Sequence, residues 1–298
     1  MTTERRNPRS VDIDLLPIER ILKIINGEDA LIANAVAAAI PQIARVVDSA
    51  TESIRAGGRI IYVGAGTSGR LAAIDAAECP STFSTPPEWV QAVMAGGSKA
   101  FSQAIDGSED DREKAAADLK SKKLTKNDLV IGIAASGNTP YTDAALEFAK
   151  ARGAKTAAIV CTENTPMSKT ADLTIYTAVG PEVITGSTRM KAGTAQKIVL
   201  NMISTATMVK LGMTYSNWMI NVSMRNRKLR GRGMQILQEI LALKPDQAAR
   251  LVEASGSNLK VAVIMGATGC TKKQAEERLA RAKGNLRSVL SHLGSGRE

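Results

Sequence analysis

The sequence predicts an α/β protein: a doubly wound, three-layer αβα sandwich around a five-stranded parallel sheet, followed by a small all-α domain. Five short apolar runs, most of them separated by helical patterns, predict the sheet. A change to short basic helices after about residue 224 predicts the second region. The chain has 298 residues, which is enough for one large domain and one small one.

The strands and helices of the large domain follow from the spacing of Ala, Val, Ile and Leu. The strands are predicted at residues 59–63, 90–94, 129–134, 156–161 and 173–177. The helices are predicted at residues 12–27, 29–57, 69–77, 98–119, 141–152 and 187–212. Alternation of buried strands with helices is typical of a doubly wound sheet, so we expect one domain over residues 1–224.

The C-terminal region, residues 225–298, differs from the rest in charge and contains a faint repeat. It has 15 Lys/Arg and 6 Asp/Glu, whereas residues 1–224 have 24 and 23. A solvated helical surface is favoured over attraction for an anionic partner. Gln247-Ala248 and Asn258-Leu259-Lys260 recur 27 residues later as Gln274-Ala275 and Asn285-Leu286-Arg287. The repeat predicts two similar helical hairpins.

Several classes of protein are disfavoured by composition. Aromatic residues make up 3% of the chain, too few for a protein that stacks nucleic-acid bases. There is neither an apolar run of membrane-spanning length nor a secretory signal. Cys79, Cys161 and Cys270 are odd in number and widely spaced, which favours a reducing cytoplasm over a disulfide framework or a zinc site. Because His292 is the only histidine, we expect neither a Ser-His-Asp triad nor a metal site.

The loop Gly64–Arg70 follows the first predicted strand and reads GAGTSGR. Its glycine spacing also fits a dinucleotide site, but that site needs an acid after the second strand, where residues 95–98 read AGGS. Backbone N–H groups and the positive end of the following helix favour one phosphate monoester instead. The alternative is a tight turn that binds nothing. The phosphate-binding residues predicted here are Gly66, Thr67 and Ser68.

Two further polar stretches are candidate anion sites. The loop after the third strand, residues 135–140, leaves the same edge of a parallel sheet as the first loop. Its predicted phosphate-binding residues are Ser136, Gly137, Asn138 and Thr139. Residues 185–194 form a Gly-flanked helix entry, with Ser187, Arg189 and Lys191 as candidate substrate-binding residues. Ordinary N-capping with solvated cations explains that stretch equally well.

Two acidic residues are candidate acid–base groups. Glu78 precedes Pro80, which is predicted to end the helix near there and leave Glu78 at a turn. Glu109 lies in the sequence GSEDD, where an acidic residue also fits a helix N-terminus. Spacing alone selects neither.

Longer strings carry a resemblance to known families. GAGTSGR and ASGNTP resemble the sugar isomerase (SIS) family of phosphosugar-binding domains. At greater length the chain resembles the N-acetylmuramic acid 6-phosphate etherase family, in RNPRSVDID, IINGED, GAGTSGRLAAIDAAECP, GIAASGNTPY and VITGSTRMKAGTAQKIVLNMISTATM. The similarity runs over about residues 4–222, and the tail is similar more loosely. Ser81 and Thr188 depart from that family's usual pattern.

The resemblance implies cleavage of the D-lactyl ether of N-acetylmuramic acid 6-phosphate, in cell-wall recycling. By match of DAAECP it gives Glu78 the role of acid, and by match of GSEDDRE it gives Glu109 the role of base. Lys228 matches a lysine in the family's N-x-K-L string and is a further candidate for substrate binding. The resemblance also implies a cytoplasmic homodimer without a cofactor or a metal.

Two other functions stay open on the residues alone. An aldose–ketose isomerase of the SIS family needs a base at C2 but no acid at C3. A non-catalytic sugar-phosphate sensor needs neither, so the presence of both Glu78 and Glu109 argues against it. The basic tail leaves nucleic-acid binding as a disfavoured alternative.

Overall fold

A five-stranded parallel sheet forms the centre of the large region. The computed structural model describes residues 2–222, 224 and 226–294. The strands run parallel in the order β2-β1-β3-β4-β5. They are β1 (Ile60–Gly64), β2 (Val90–Met94), β3 (Leu129–Ile133), β4 (Lys155–Val160) and β5 (Leu173–Tyr176). The predicted strands and their parallel arrangement are therefore confirmed.

Helices cover both faces of this sheet. They are α1 (Ile18–Asp29), α2 (Ile32–Ala38), α3 (Ile40–Arg55), α4 (Gly66–Phe83), α5 (Arg112–Ser121), α6 (Pro140–Ala151), α7 (Pro166–Thr170) and α8 (Lys191–Lys210). Alternate residues of β1 point to opposite sides, as the pleat of a strand requires. Ile61 and Val63 share a buried cluster with residues of α5, α6 and α7, whereas the Tyr62 hydroxyl donates to Asp75 of α4.

The predicted helix over residues 98–119 is wrong. A short 3₁₀ turn occupies Gly97–Phe101, turns follow, and α5 begins only at Arg112, where the Asp111 side chain accepts from the Lys114 N–H. Gly107 has a φ of +69°, which an α-helix does not accommodate. This break leaves residues 102–111 as a connection at the carboxyl edge of the sheet.

Two other predicted boundaries also need correction. Pro80 does not end its helix, because α4 continues to Phe83 with Pro80 inside its last turns and Glu78 within the helix. A proline removes one backbone hydrogen bond, and α4 continues past this loss for three residues. The predicted helix 12–27 begins only at Ile18, and the predicted helix 29–57 is divided into α2 and α3, with Pro41 in the first turn of α3.

The strand order places the first two candidate loops side by side. The chain leaves β1 toward β2 on one side and later returns to β3 on the other side, so the order reverses between β1 and β3. Gly64 and Ile133, the last residues of these strands, are paired in register. Doubly wound sheets bind their ligands at such a reversal, beyond the carboxyl ends of the strands.

The chain divides into two compact units. The first contains residues up to Ala77 together with Pro87–Thr205, and the second contains Glu78–Pro86 together with the residues from Ala206 onward. The division predicted from the sequence, between residues 224 and 225, stays a prediction.

The second unit is helical and contains the repeat that the sequence predicts. Its helices are α9 (Arg227–Leu241), α10 (Pro245–Ala254), α11 (Leu259–Thr268), α12 (Lys272–Arg281) and α13 (Leu286–Gly294). Helices α10 and α11 form one hairpin and α12 and α13 a second, displaced by 27 residues. Asn258 and Asn285, the repeated asparagines, each accept a backbone N–H at a helix start. The two predicted hairpins are confirmed.

The N-terminal helices expose an apolar surface. Leu15 precedes α1 in a separate 3₁₀ turn and is 78% exposed, and Ile18 and Leu22 of α1 are 76% and 59% exposed. Within the described residues no single helix is long and apolar enough to cross a membrane, although the bent pair Ile18–Ala38 and Ile40–Arg55 meets that test of length and composition jointly.

Candidate active site

The loop after β1 is closely packed at Gly64 and Gly69, whereas its backbone is accessible at Gly66. A Cβ on Gly64 would lie 2.9 Å from the Gly69 nitrogen, and one on Gly69 would lie 2.7 Å from Met94 Cγ, so both positions require glycine. Gly66 has a φ of +53°, is exposed and has open space where a Cβ would be. Helix α4 begins at this residue, so its free N–H groups and its positive dipole end lie at the loop.

The loop after β3 is braced from behind by the segment after β4. Gly137 has a φ of +65°, and a Cβ there would lie 2.4 Å from the Thr165 hydroxyl oxygen. The Gly137 carbonyl oxygen accepts from the Met167 N–H at 3.2 Å. Thr139 is the N-cap residue of α6 but makes no capping bond with its side chain, and Asn138 is exposed. The loop therefore has a fixed backbone and polar side chains that are not used for capping.

Glu109 lies on the same cavity as the first loop. This cavity has a volume of about 220 Å³, and its lining includes Gly66, Arg70 and Glu109. The Arg70 guanidinium donates to the carbonyl oxygens of Phe101 and Gln103, both at 3.1 Å. Arg70 therefore connects α4 to the segment that ends at Glu109.

The backbone of Glu109 also connects to the second loop. Its carbonyl oxygen accepts from the Tyr141 N–H at 2.9 Å, and Tyr141 lies in the first turn of α6, directly after the loop that ends at Thr139. The exposed Glu109 side chain precedes the N-cap residue of α5, Asp111, by two positions. Glu109 therefore shares a cavity with the first residue of α4 and is bonded through its backbone to the start of α6.

The start of α8 lies against the first loop and has a buried carboxylate of its own. The Glu182 side chain is buried and accepts from the backbone N–H groups of Lys191 and Ala192, at 3.0 and 2.9 Å. A Cβ on Gly193 would lie 3.3 Å from the Thr67 methyl group. Glycine at position 193 therefore lets the first turn of α8 approach that of α4 closely.

Lys191 is buried and paired. It is 1% exposed, and its ammonium group donates to Glu28 of α1, which Arg9 also contacts at 3.2 Å. Burial raises the pKa of Glu28, but the hydrogen bonds from Lys191 and Asn7 and the positive charges of Lys191 and Arg9 outweigh it, so the net pKa is lowered. The ammonium group of Lys191 is thus occupied within the fold, whereas Arg189 is exposed and Ser187 half-buried.

Glu78 and Lys228 belong to the second compact unit. Glu78 is exposed, and the Ser81 hydroxyl donates to its carbonyl oxygen at 3.0 Å. Lys228 is exposed on α9, where it lines an open basic cleft together with Arg227 and Arg232.

Three residues of this region were not predicted from the sequence. Glu28 lies far in sequence from residues 185–194, whose lysine it holds. Glu182 precedes that stretch by three residues, and Gln196 follows it by two, within an apolar helical pattern. The Ser68 hydroxyl donates to Gln196 Oε1 at 2.9 Å. Only the last had a signal, since a polar residue on an otherwise apolar helix face indicates a buried partner.

The fold and the matching family models define the class of this chain as an SIS-domain protein. Residues 42–150 match the glucokinase regulatory protein N-terminal SIS domain, and residues 113–206 match the SIS domain. A solved protein of E. coli CFT073 has the same fold, with a TM-score of 0.50 and 19% identity over 68% of this chain and 97% of that chain.

Relatives similar over nearly the whole length narrow the class to one family. The N-acetylmuramic acid 6-phosphate etherase of Geobacillus thermodenitrificans is 47% identical over 97% of this chain and 98% of its own. That of Bacillus subtilis is 48% identical over 98% of this chain and 96% of its own. The chain belongs to the N-acetylmuramic acid 6-phosphate etherase family, whose members are carbon–oxygen lyases.

Proposed function

We propose that this protein cleaves the D-lactyl ether of N-acetylmuramic acid 6-phosphate, giving N-acetylglucosamine 6-phosphate and D-lactate in amino-sugar recycling. Family membership over nearly the full length supports the activity. The observation that carries it to particular residues is the cavity shared by Glu109 and the start of α4, because it joins a carboxylate to a phosphate-type loop.

Elimination followed by water addition explains how an unactivated ether is broken. Opening of the sugar ring gives an aldehyde at C1, which makes the C2 proton acidic. A base removes that proton, its electron pair forms the C2–C3 double bond, and the C3–oxygen bond breaks as lactate leaves with a proton from an acid. Water then adds across the double bond, with its hydroxyl at C3 and a proton at C2. General acid–base groups of this kind each contribute roughly 10²–10⁴-fold.

Glu109 is proposed as the base and Glu78 as the acid. Glu109 is supported by its position on the cavity with Gly66 and by the backbone bond that fixes it to α6. Glu78 rests on the match of DAAECP to the family and on its exposure. Glu109 must be ionised and Glu78 protonated at the start of the elimination, when the C2 proton is removed.

The phosphate is proposed to act as a handle that positions C2 and C3. Neutral donors suit it, since backbone N–H groups and hydroxyls bind a phosphate dianion without burying a second charge. Ser187, Arg189 and Lys228 remain candidate contacts to the rest of the substrate, and we assign Lys191 to holding the start of α8. The proposed handle residues are Gly66, Thr67, Ser68, Ser136, Gly137, Asn138 and Thr139.

Release of D-lactate from N-acetylmuramic acid 6-phosphate tests the activity. Glu109→Gln is expected to lower kcat by at least roughly 10²-fold and to abolish exchange of the C2 proton with deuterated solvent. Glu113→Gln, an exposed acid in the first turn of α5, is the matched control and is expected to retain activity. Isomerisation of a sugar phosphate without release of lactate would favour the aldose–ketose isomerase instead.

Glu78 is tested by separating the two halves of the reaction. Glu78→Gln is expected to slow departure of lactate while C2 exchange continues, because the base is still present. If lactate leaves this variant at the normal rate, Glu78 is not the acid.

A cytoplasmic homodimer is proposed as the working form. The exposed apolar residues Leu15, Ile18 and Leu22 support an interface with a second copy. The three cysteines, none of which forms a disulfide within the described residues, support a reducing compartment. Sedimentation of the wild type and of Ile18→Lys tests the interface: we expect a dimer and a monomer, respectively. Ile18→Lys sedimenting as a dimer would exclude this surface.

A further inference from the structure

Gln196 is a buried polar side chain directly behind the phosphate loop. It is 1% exposed, and its Oε1 accepts a hydrogen bond of 2.9 Å from the hydroxyl of Ser68, in the first turn of α4. Its Nε2 is also buried and has no hydrogen-bond partner among the described residues. Buried amide groups are nearly always paired, so an unpartnered donor at this position requires an explanation.

The direction of the hydrogen bond between Ser68 and Gln196 is incompatible with donation from Ser68 to a phosphate. A hydroxyl has one proton, and here that proton is donated to Gln196. The Ser68 oxygen then presents only lone pairs to an anion at the loop, which is repulsive. A phosphate oxygen requires the proton itself.

Rotation of the Gln196 amide by half a turn removes this conflict. It places Nε2 where Oε1 now lies, so that the amide donates to the Ser68 oxygen and the serine proton is free for the phosphate. A hydroxyl that accepts a hydrogen bond is also a stronger donor, because chained hydrogen bonds polarise one another. Each of the two amide orientations makes one hydrogen bond with Ser68. A bound anion favours the orientation in which Nε2 donates to Ser68, because the serine proton is then free to bind the anion.

The surrounding backbone supports a motion confined to this amide. Gly193, one turn before Gln196, fits against the Thr67 methyl group, and Glu182 fixes the first N–H groups of α8. The two helix starts therefore stay in place while the side chain reorients.

We propose that Gln196 is a positioning residue that switches Ser68 from donating to the protein to donating to the substrate phosphate. The inference rests on the proposed binding of phosphate at the α4 loop. Gln196 acts through Ser68 alone, so its effect belongs to substrate binding and not to the bond-breaking steps.

A double-mutant cycle with D-lactate release as the assay tests this. Gln196→Met keeps the length of the side chain and removes both polar atoms. We expect Ser68→Ala to raise KM roughly 10-fold and Gln196→Met roughly 3- to 10-fold, each with kcat within about twofold of wild type. The double variant is expected to match Ser68→Ala, because Gln196 has no route to the phosphate without the serine hydroxyl.

Gln196→Glu gives a second measurement that a packing role would not predict. A carboxylate can only accept, so it holds the Ser68 proton permanently, and KM is expected to rise more than in Gln196→Met, by roughly 10- to 100-fold. Thermal melting of each variant checks that it is folded.

The outcomes separate the inference from the proposed function. Multiplicative effects of Gln196→Met and Ser68→Ala on KM would overturn the inference, as would a folded Gln196→Glu with normal KM. If Ser68→Ala itself leaves KM unchanged while lactate is still released, the serine is not a phosphate ligand and the handle is assigned wrongly. Loss of lactate release from the wild type would instead remove the proposed function.

Discussion

The first turns of α4 and α8 have the same physical character and different surroundings. Both are helix N-termini with free N–H groups and a positive dipole end, and they approach closely at Gly193. Helix α8 receives a carboxylate from within the protein, because Glu182 accepts two of its N–H groups. Helix α4 has no acidic residue in its first turn and opens on a cavity. The start of α4 is therefore open to an external anion, whereas the start of α8 is occupied by a carboxylate of the protein.

The largest effect is expected from removing the buried cation of α8. Lys191→Met leaves the Glu28 carboxylate with Asn7 and the largely exposed Arg9. Breaking a buried pair in this way is expected to lower the free energy of unfolding by about 3 kcal/mol or more. Urea unfolding measures it. Glu28→Gln combined with Lys191→Met should recover part of the loss, since the orphaned charge is then absent.

Lys191→Met can also contradict the distinction drawn between the starts of α4 and α8. If Lys191→Met is as stable as the wild type and raises KM instead, the ammonium group serves the substrate and the start of α8 belongs to the binding site.

Giving α4 an anion of its own should abolish the difference between the two helix starts. Thr67→Asp places a carboxylate where the phosphate is proposed to bind, so KM is expected to rise about 100-fold, or roughly 2.7 kcal/mol. Stability should be unchanged or slightly higher, since a negative charge at a helix start contributes about 0.3–1 kcal/mol. Thr67→Asn, of equal size and neutral, is the control, and equal KM values in the two variants would exclude the electrostatic explanation.

Weakening the cap of α8 should cost stability and leave binding intact. Glu182→Gln keeps one oxygen acceptor and loses the second acceptor and the charge, with an expected loss of roughly 2–3 kcal/mol in unfolding free energy. KM should stay within about twofold of wild type. A fall in stability together with a large rise in KM would mean that the two helix starts are coupled.

The smallest effect is expected at the other end of α8, where a buried cation meets carbonyl groups. Lys260 donates to the carbonyl oxygens of Gly212, just after α8, and Gly284. Burial lowers its pKa from 10.5 to about 8. The unfolded chain therefore binds more protons between these values, so stability should rise with pH.

Comparison with Lys260→Met isolates that contribution. From pH 7 to pH 10 the difference in unfolding free energy should move in favour of the wild type by about 1–2 kcal/mol. A difference that is constant with pH would show that Lys260 keeps its charge throughout.

Much of the fold could be predicted because its signals are local. Each strand is a short apolar run, and each site loop has glycine where the backbone turns, as at Gly66 and Gly137. The helix boundaries that were predicted wrongly lie where two local sequence signals favour different structures. Residues 98–119 have helical composition, but Gly107 and the capping Asp111 delay the helix to Arg112. Pro80 is a helix breaker by rule, yet α4 absorbs it close to its end.

The site could be predicted as a set of loops and carboxylates, but not as an arrangement. The assignments of Glu78, Glu109 and the phosphate-binding residues stay predictions for the experiments above. The contacts of Lys191 with Glu28 and of Ser68 with Gln196 join residues 163 and 128 positions apart. No periodicity encodes such pairs, because they depend on how the helices pack.

The sequence by itself determined the parallel αβ class, the loops that follow β1 and β3, the paired hairpins of the tail and the family. These are properties of short segments, set by side-chain spacing and backbone preference. Only the tertiary structure decided the strand order, which brings the loops after β1 and β3 together, and the partners of the two helix starts. The roles of Glu182 and Gln196 depend on packing, since the hydrogen bonds of a buried carboxylate or amide are set by the groups that surround it.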